Sequence, residues 1–288
     1  MGLKTYIKRV IRYLLTGLPV QKVTTNIVTL ASNELLKGKT ALITGGTSGI
    51  GYAIADAFLS SGASVIITGR NNQRLEISCK KLLVSHPNRE NHISYVTIDN
   101  RDVTSLESIF EQHQNLQKID ILVNNAGIQG GDIAHADEKE YDDILETNLK
   151  GPFFLSQLVA RNMKKNHIKG NILNIASSSS LRPANSAYNI SKWGIRGLTL
   201  GLAKALIPYG ITVNGIAPGP TATPMLMKND VKDIAHEKLP IGRYALPEEI
   251  ANMAVFLTSE MGRMIVGDIV YMTGGAGIIT FDDVKYSF

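Results

Sequence analysis

The hydrophobic pattern of the chain changes at about residue 39. From there on, short runs rich in β-branched residues alternate with longer segments whose apolar residues recur every three or four positions. The short runs are typical of buried strands, and the longer segments indicate amphipathic helices. We expect strands near 40–44, 64–68, 93–98, 120–123, 171–176, 211–216 and 268–272, and helices near 49–61, 72–84, 104–115, 138–166, 186–208 and 247–258.

Strands that alternate with helices predict a parallel sheet joined by crossover helices. The expected architecture is a single α/β domain over residues 39–288, with a doubly wound sheet of about seven strands and helices on both faces. The 288 residues, 44% of them hydrophobic, suffice for one large core, and no linker divides them. Such a sheet binds ligands beyond the carboxyl ends of its strands.

Residues 1–38 form an N-terminal extension with a different pattern. Between residues 3 and 15, apolar side chains repeat at intervals that suit one helical face, with Lys and Arg between them. This is the pattern of a basic amphipathic helix. We predict that it packs on its own domain or on a second subunit; peripheral contact of residues 1–15 with an anionic membrane is the alternative. Charges interrupt the apolar stretch, so a signal peptide is not expected.

The net charge of +5 is concentrated in the same region. Residues 1–40 contain seven Lys or Arg and one Glu, which gives +6 there and leaves −1 for the rest of the chain. A nucleic-acid partner is not expected, because neither a broad basic surface nor a recognition motif is visible. The single cysteine, Cys79, predicts a reducing, cytoplasmic location, and six His without zinc-type spacing predict no metal site.

A glycine-rich turn follows the first predicted strand. The sequence Gly45-Gly46-Thr47-Ser48-Gly49-Ile50-Gly51 joins that strand to an amphipathic helix. Glycines let backbone N–H groups approach a diphosphate at a helix N-terminus. Such a turn can be purely structural, but its place between a strand and a helix favours dinucleotide binding. The cofactor contacts expected here are Gly45, Thr47, Ser48, Gly49, Ile50 and Gly51.

The second strand ends in Gly69-Arg70. An acidic residue there would bind the adenosine ribose of NAD, whereas an Arg can pair with the 2′-phosphate of NADP. The sequence therefore favours NADP(H) over NAD(H), although an Arg in a loop is often only solvated. Asp99 and Asn100, after the third strand, are placed to meet the adenine. Small residues after the fourth strand permit close approach of the cofactor, namely Asn125, Ala126 and Gly127.

Tyr188 and Lys192 are the candidate catalytic pair. Residues four apart share one face of a helix, so the ammonium can approach the phenol. A nearby positive charge favours the phenolate, and we therefore expect Lys192 to lower the pKa of Tyr188. A phenol of lowered pKa can act as a general acid or base near neutral pH. Taken alone, the spacing equally fits an ordinary pair on a solvated helix.

Together these pieces resemble the short-chain dehydrogenase/reductase family, whose members have a Rossmann fold, over about residues 39–280. The residues that carry the resemblance are Thr44-Gly45-x-x-x-Gly49-Ile50-Gly51, Asn124-Asn125-Ala126-Gly127, Asn148, Ser177, Tyr188-x-x-x-Lys192 and Pro218-Gly219. The resemblance implies an NAD(P)(H)-dependent oxidoreductase that interconverts a carbonyl and a secondary alcohol.

The resemblance also implies a role for each catalytic residue. Tyr188 would exchange a proton with the substrate oxygen, and Lys192 would hold the nicotinamide ribose and lower the Tyr188 pKa. Ser177 would hydrogen-bond the substrate oxygen, with Ser178 as its rival in a run of four serines. Asn148 would bind a water that connects Lys192 to solvent. The carboxamide of the cofactor would be held near Pro218, Gly219, Thr221 and Thr223.

Substrate and subunit contacts are expected from two further regions. The family places a mobile lid over the substrate, here between Pro220 and Leu246. Its apolar residues Met225 to Met227 fit an irregular apolar surface, and four basic residues could meet an anionic group: Lys228, His236, Lys238 and Arg243. The family also commonly forms homo-oligomers, tetramers or dimers, through its long helices, and Trp193 is expected at that interface.

Three hypotheses about function remain at this point. The first is an NADP(H)-dependent carbonyl reductase or alcohol dehydrogenase acting on a small molecule, with a 3-oxoacyl-thioester reductase as its narrower form. The second is a non-catalytic dinucleotide-binding sensor on the same fold. The third is a membrane-docked scaffold that uses residues 1–15. The presence of Asn148, a serine loop, Tyr188 and Lys192 together favours the enzyme, because a sensor would be free to lose them.

Overall fold

A computed structural model of the chain describes residues 33–227 and 234–278. They form a seven-stranded parallel sheet in the order β3-β2-β1-β4-β5-β6-β7, so the predicted doubly wound fold is confirmed. All six neighbouring pairs are parallel. The strands are β1 Thr40–Thr44, β2 Ser64–Gly69, β3 Ile93–Thr97, β4 Ile121–Asn124, β5 Asn171–Ile175, β6 Thr212–Pro218 and β7 Ile269–Met272.

Seven α-helices connect these strands within the described residues. They are α1 Gly49–Ser60, α2 Asn72–Ser85, α3 Leu106–Gln112, α4 Glu138–Leu145, α5 Gly151–Lys165, α6 Ala187–Leu206 and α7 Pro247–Thr258. Short 3-10 turns cover Glu90–His92, Gln114–Leu116, Ser178–Leu181, Ile207–Tyr209 and Glu260–Gly262. In the described residues, no helix is both long and apolar enough to cross a membrane.

Both faces of the sheet are buried. Ala41 and Ile43 of β1 belong to a core cluster that includes α1, α2 and α7, whereas Leu42 belongs to one that includes α3, α5 and α6. Successive side chains of a strand point to opposite faces. Apolar residues are therefore favoured on both faces of the central strands, and this explains their long hydrophobic runs.

The helix predicted over 138–166 is interrupted. A π-helical turn, Glu146–Lys150, separates α4 from α5. Pro152 follows this turn and has no N–H to donate to the carbonyl of Asn148 four residues earlier, so the regular α-helical pattern cannot continue through it. Gly151 also packs closely, because a Cβ there would lie 2.5 Å from the carbonyl oxygen of Asn100. The interruption fixes where Asn148 stands.

The boundary predicted between the extension and the domain is placed too late. Residues 33–38 were assigned to the extension, but Leu36 is buried in the core that includes α1. Its backbone N–H donates to the carbonyl of Ser61 at 2.8 Å, and the N–H of Asn33 donates to Ser60 at 3.1 Å. These residues thus close the end of α1. The predicted amphipathic helix itself lies outside the described residues.

Candidate active site

The carboxyl ends of the strands open into one continuous cleft of about 510 Å³. Because β1 and β4 are neighbours whose connections leave on opposite sides, a crevice forms between their loops. The cleft brings together most of the residues predicted for cofactor and substrate: Gly45, Thr47, Ser48, Gly49, Ile50, Arg70, Asp99, Asn100, Asn125, Ala126, Gly127, Ser177, Ser178, Tyr188, Lys192, Pro218, Gly219, Thr221 and Thr223. Two predicted residues, Gly51 and Asn148, do not line it.

The glycine loop forms a tight cradle at the start of α1. Gly45 and Gly49 have φ values of 66° and 56°, which side chains rarely adopt. A Cβ at Gly45 would also lie 2.9 Å from the Cα of Ala126. Gly51 serves packing instead, because a side chain there would collide with the carboxamide of Asn125 and the carbonyl of Gly45. The open backbone of this cradle suits a diphosphate at the helix N-terminus.

Thr44 joins the cradle to the loop after β4. Its hydroxyl oxygen accepts hydrogen bonds from the N–H groups of Asn125 and Ala126, both at 3.0 Å. The Asn125 side chain in turn donates to the carbonyl of Thr44 at 2.8 Å. Asn125 therefore holds two loops together as well as lining the cleft. This network fixes the width of the crevice where the cofactor is expected.

Asp99 and Asn100 lie at the far end of the cleft, held by Arg101. The guanidinium donates to Asp99 at 2.8 Å and to Asp143 of α4 at 2.7 Å. Hydrogen bonding from Arg101 lowers the pKa of Asp99, and the charge of Arg70 adds to this effect. The turn after β3 is thus pinned to the helix that leads to the π-helical turn.

Two residues that line the cleft each have a buried polar atom without a hydrogen-bond partner among the described residues. The amide nitrogen of Asn100 and the hydroxyl of Thr147 have no hydrogen-bond partner among the described residues, although both residues are more than nine-tenths buried. Buried polar groups normally pair, so these atoms indicate a polar ligand. Together with the glycine cradle, they fit a dinucleotide that runs along the cleft. Thr147 was not predicted, because nothing in its local sequence marks it.

Arg70 has a companion that the sequence analysis missed. Arg74, in the first turn of α2, also lines the cleft, and neither guanidinium forms an ion pair with a carboxylate in the described ranges 33–227 and 234–278. The side chain of Asn71 accepts from the N–H of Arg74 at 2.9 Å and caps the helix. A strand end followed within four residues by a capped helix could have indicated this second cation.

Tyr188 and Lys192 both face the other end of the cleft, as their spacing predicts. The Lys192 ammonium lies 5.6 Å from the centre of the Tyr188 ring and donates to the carbonyl of Ile175 at 2.9 Å. Burial lowers the pKa of Lys192 to about 8. The prediction for Tyr188 is wrong in direction: burial raises the pKa of this phenol, and Lys192 is not among the causes that shift it. Desolvation thus outweighs the ammonium in this site.

Ser177 and Gln129 contact the phenol from the cleft. Hydrogen bonding with each of them acts to lower the pKa of Tyr188, against the larger effect of burial. Ser177 caps the 3-10 turn, and its hydroxyl oxygen accepts from the N–H of Ser179 at 3.1 Å. Ser178 lines the cleft too, but it has no such effect on Tyr188. Gln129 was missed by the sequence analysis.

The Asn148 side chain is buried, and its amide group forms three hydrogen bonds. Its oxygen accepts from the N–H of Ile128 at 2.8 Å, and its nitrogen donates to the Ile128 carbonyl at 2.9 Å and to Ser191 at 3.1 Å. The amide therefore fixes the loop after β4 against α6. The predicted water relay remains a prediction. The hydrogen bonds of the Asn148 side chain show in addition that it positions the loop after β4.

Of the four basic residues predicted for the lid, the three that lie in the described residues do not line the cleft. Arg243 is paired with Glu249 through two hydrogen bonds of 2.9 and 2.7 Å, and the His236 ring packs edge-on against Tyr244. Lys238 does not line the cleft, and Lys228 lies outside the described residues. Met225 and Leu226 do line it, as predicted, and each is about half exposed. Met225 and Leu226 therefore add apolar side chains to a part of the cleft that serine residues and Arg182 also line.

Fold and cleft together define a class of protein. A doubly wound sheet, a glycine cradle at its central crevice and a Tyr beside a buried Lys at the same crevice are the parts of a nicotinamide-dependent oxidoreductase. The family model for short chain dehydrogenases matches residues 39–233. The chain belongs to the short-chain dehydrogenase/reductase family and is an NAD(P)-dependent oxidoreductase.

Individual relatives span nearly the whole domain. The 3-oxoacyl-[acyl-carrier-protein] reductase of Aquifex aeolicus is 35% identical over 248 residues, which are 83% of this chain and 98% of that protein. A 3alpha-hydroxysteroid dehydrogenase of Mediterraneibacter gnavus is 34% identical over 84% of this chain and 98% of its own length. A solved 3-ketoacyl-(acyl-carrier-protein) reductase from Brucella melitensis, complexed with NADH, has a TM-score of 0.75 at 30% identity and covers 84% of this chain and 100% of its own.

Proposed function

We propose that this protein catalyses the NADPH-dependent reduction of a carbonyl group to a secondary alcohol, with a 3-oxoacyl thioester as the first substrate class to test. The observation that carries the proposal is the shared cleft, in which Tyr188, Lys192 and Ser177 stand beyond the glycine cradle. When bound, the nicotinamide supplies the hydride. The protein supplies binding, orientation and the proton.

Each residue around the substrate oxygen has a task in this proposal. The Tyr188 hydroxyl donates its proton to the oxygen, and a burial-raised pKa keeps that proton in place at neutral pH. Ser177 donates a hydrogen bond to the same oxygen and stabilises the charge that develops there. Lys192 holds the nicotinamide ribose. A water bound at Asn148 connects Lys192 to solvent, and Tyr188 regains its proton along this path. Thr221 and Thr223, with Pro218 and Gly219, hold the carboxamide.

The substrate class rests on two observations. Met225 and Leu226 offer apolar, adaptable surface beside the catalytic residues. Several relatives are named as 3-oxoacyl-[acyl-carrier-protein] reductases, including those of Aquifex aeolicus and Rickettsia bellii. The 3alpha-hydroxysteroid dehydrogenase has a bulkier substrate by name, so a hydroxysteroid or its ketone is the second class. Both have an apolar chain or ring on at least one side of the reacting carbonyl.

A substrate screen tests the function directly. Acetoacetyl thioesters, a 3-ketosteroid, gluconate and simple ketones are each mixed with NADPH or NADH, and cofactor fluorescence is followed. Turnover of the thioester with NADPH supports the proposal in full. Turnover of another class keeps the enzyme and corrects the substrate. Cofactor binding without turnover of any class would favour the non-catalytic sensor instead.

We expect Arg70→Asp to lower kcat/KM for NADPH by about 10- to 100-fold and to improve NADH. The change removes a charge-assisted bond to the 2′-phosphate and adds a carboxylate for a ribose hydroxyl. The Brucella melitensis relative was solved with NADH. The coenzyme preference of this chain therefore has to be tested on its own residue, Arg70. Lys81→Asp is the matched control, since Lys81 is exposed on α2 outside the cleft. An unchanged NADPH preference in the Arg70 variant would show that Arg70 does not determine the coenzyme preference.

We expect a homo-oligomer, a tetramer or a dimer, that uses α5 and α6. Large apolar side chains are exposed on both helices, among them Phe154, Trp193 and Leu200, and added Cβ atoms at Gly197 and Gly201 would meet open space. Sedimentation velocity should give a multiple of the chain mass, and Leu200→Glu should reduce it. Val84→Glu, which alters a side chain that is 82% exposed on α2, should not. A wild-type mass of one chain would contradict the expectation.

Residues 1–15 remain the candidate for a membrane contact. Their alternation of basic and apolar residues suits an anionic lipid surface, and we propose a cytoplasmic enzyme that either packs this segment on protein or touches the membrane with it. Co-sedimentation with phosphatidylserine-containing vesicles, for the full chain and for a chain that starts at residue 33, separates the two. Binding that survives the truncation would exclude this segment as the anchor.

A further inference from the structure

The loop after β4 is anchored on both sides of Gln129. The Asn148 amide brackets the backbone N–H and carbonyl of Ile128 at 2.8 and 2.9 Å. On the other side, the N–H of Gly131 donates to the Glu140 carboxylate at 3.1 Å. A Cβ at Gly130 would lie 2.6 Å from that carboxylate, so a larger residue there would displace the Glu140 side chain. Gln129 is itself exposed, and it projects from a backbone segment that is hydrogen-bonded on both sides, to the buried Asn148 amide and to the Glu140 carboxylate.

The Gln129 side chain lines the catalytic cleft together with Tyr188 and Ser177. Its carboxamide interacts with the phenol of Tyr188, and among the described residues no other group holds it. The backbone around it is fixed, and its one partner is the group proposed to carry the proton. Although Gln129 is exposed, those two facts distinguish it from a glutamine on the outer surface of the domain.

We propose that Gln129 is a positioning residue: its side-chain N–H donates to the Tyr188 oxygen and holds the phenol in line with the substrate. The inference rests on the proposed function, because it concerns the same proton transfer. An amide donor stabilises the phenolate that remains after the proton has moved to the substrate oxygen. It carries no proton itself. Ser177 can then hydrogen-bond the substrate oxygen while Gln129 hydrogen-bonds the phenol of Tyr188.

Two variants of Gln129 give opposite tests of this contact. Gln129→Met removes the donor at similar length, and Gln129→Glu places a negative charge beside the phenol. Both raise the pKa of Tyr188, and the Glu variant raises it more because a like charge disfavours the phenolate. Alcohol oxidation needs the phenolate, so at neutral pH its kcat should fall about tenfold in the Met variant, and further in the Glu variant. The pH profiles should move to higher pH in the same order.

The controls separate positioning from structure. Gln112→Met makes the same chemical change at an exposed position on α3 outside the cleft and should leave the pH profile unmoved. Cofactor affinity, measured by fluorescence titration, should change little in either Gln129 variant. Equal, unshifted pH profiles in wild type, Gln129→Met and Gln129→Glu would overturn the proposal.

A second readout does not depend on turnover. The ionisation of Tyr188 is followed by ultraviolet difference titration against a Tyr188→Phe reference, in wild type and in Gln129→Met. A higher titration midpoint in the Met variant supports the contact, and coincident midpoints reject it. If the screen finds no substrate, the proposed reaction fails while this titration still decides the role of Gln129.

Discussion

Tyr188→Phe is expected to bind reduced cofactor as the wild type does and to lose turnover by about 100- to 10,000-fold, the usual contribution of general acid catalysis. The substitution removes the proton donor and hardly changes the volume of the side chain. Because the change leaves the residues proposed to bind the cofactor in place, the loss should fall on kcat rather than on cofactor affinity. The measurement is kcat, KM and cofactor dissociation constant for both proteins.

Tyr209→Phe is the matched control for that experiment. Tyr209 is half exposed, and its ring carries the Lys164 ammonium at 3.8 Å. Phenylalanine keeps the ring, so turnover and folding should be unchanged. If Tyr188→Phe instead kept its full rate, Tyr188 would be a structural residue, and the proton would have to come from another group such as Ser177.

Most of the fold could be predicted from the sequence because the sheet is buried on both faces. Burial on two sides requires continuous apolar runs such as Ala41-Leu42-Ile43, and these stand out between polar loops. The seven strands and their flanking helices accordingly lie close to their predicted positions. The glycine loop could be predicted for a related reason. A turn that needs positive φ at Gly45 and Gly49 leaves a visible composition.

The interruption of the long helix near Asn148 could have been predicted from the sequence, but it was not. Gly151-Pro152 stands inside a long helical pattern, and a proline there removes one backbone hydrogen bond from the preceding turn. π-Helical turns often occur at functional sites, because they turn one residue away from the regular helical position. Here that residue is Asn148, whose amide hydrogen-bonds Ile128 in the loop after β4.

The pKa of Tyr188 could not be predicted from spacing. Residues four apart on a helix share a face, but the spacing does not tell how dry that face is once the chain folds. The ammonium of Lys192 turns to the carbonyl of Ile175, and burial dominates both titrations. Likewise, nothing local to Arg243 shows that Glu249 engages it. Such pairings are properties of the packed domain.

The buried charge of Lys192 leads to the second large effect, on activity and stability together. Lys192→Met should lower kcat by about two orders of magnitude or more and weaken cofactor binding, since in the proposed mechanism the ammonium holds the ribose and connects the site to solvent protons. The same variant should be more stable than the wild type at neutral pH. Burial lowers the pKa of Lys192 to about 8, which means that folding disfavours its charged form.

The sign and the window of that stability effect follow from the pKa. Between about pH 8 and the ordinary pKa of 10.5, the unfolded chain binds more protons than the folded one, so wild-type stability rises with pH there. The full effect is at most about 3 kcal/mol. An unpaired Ile175 carbonyl in the Met variant offsets about 1 kcal/mol of it. A net gain of about 2 kcal/mol is expected below pH 8; it should shrink through the window and become a loss of about 1 kcal/mol above pH 10.5.

Chemical denaturation of wild type, Lys192→Met and Lys204→Met across this pH window makes the comparison. Lys204 is exposed in the last turn of the same helix, α6, so its loss removes a charge that was never desolvated and should bring no gain. The gain specific to Lys192 would show that the ammonium is kept in the cleft for chemistry at a cost in stability. A Lys192→Met protein that is less stable than the wild type by the same amount at every pH would show that the ammonium stabilises the fold through its bond to Ile175. The loss of turnover would then be explained by a disturbed site.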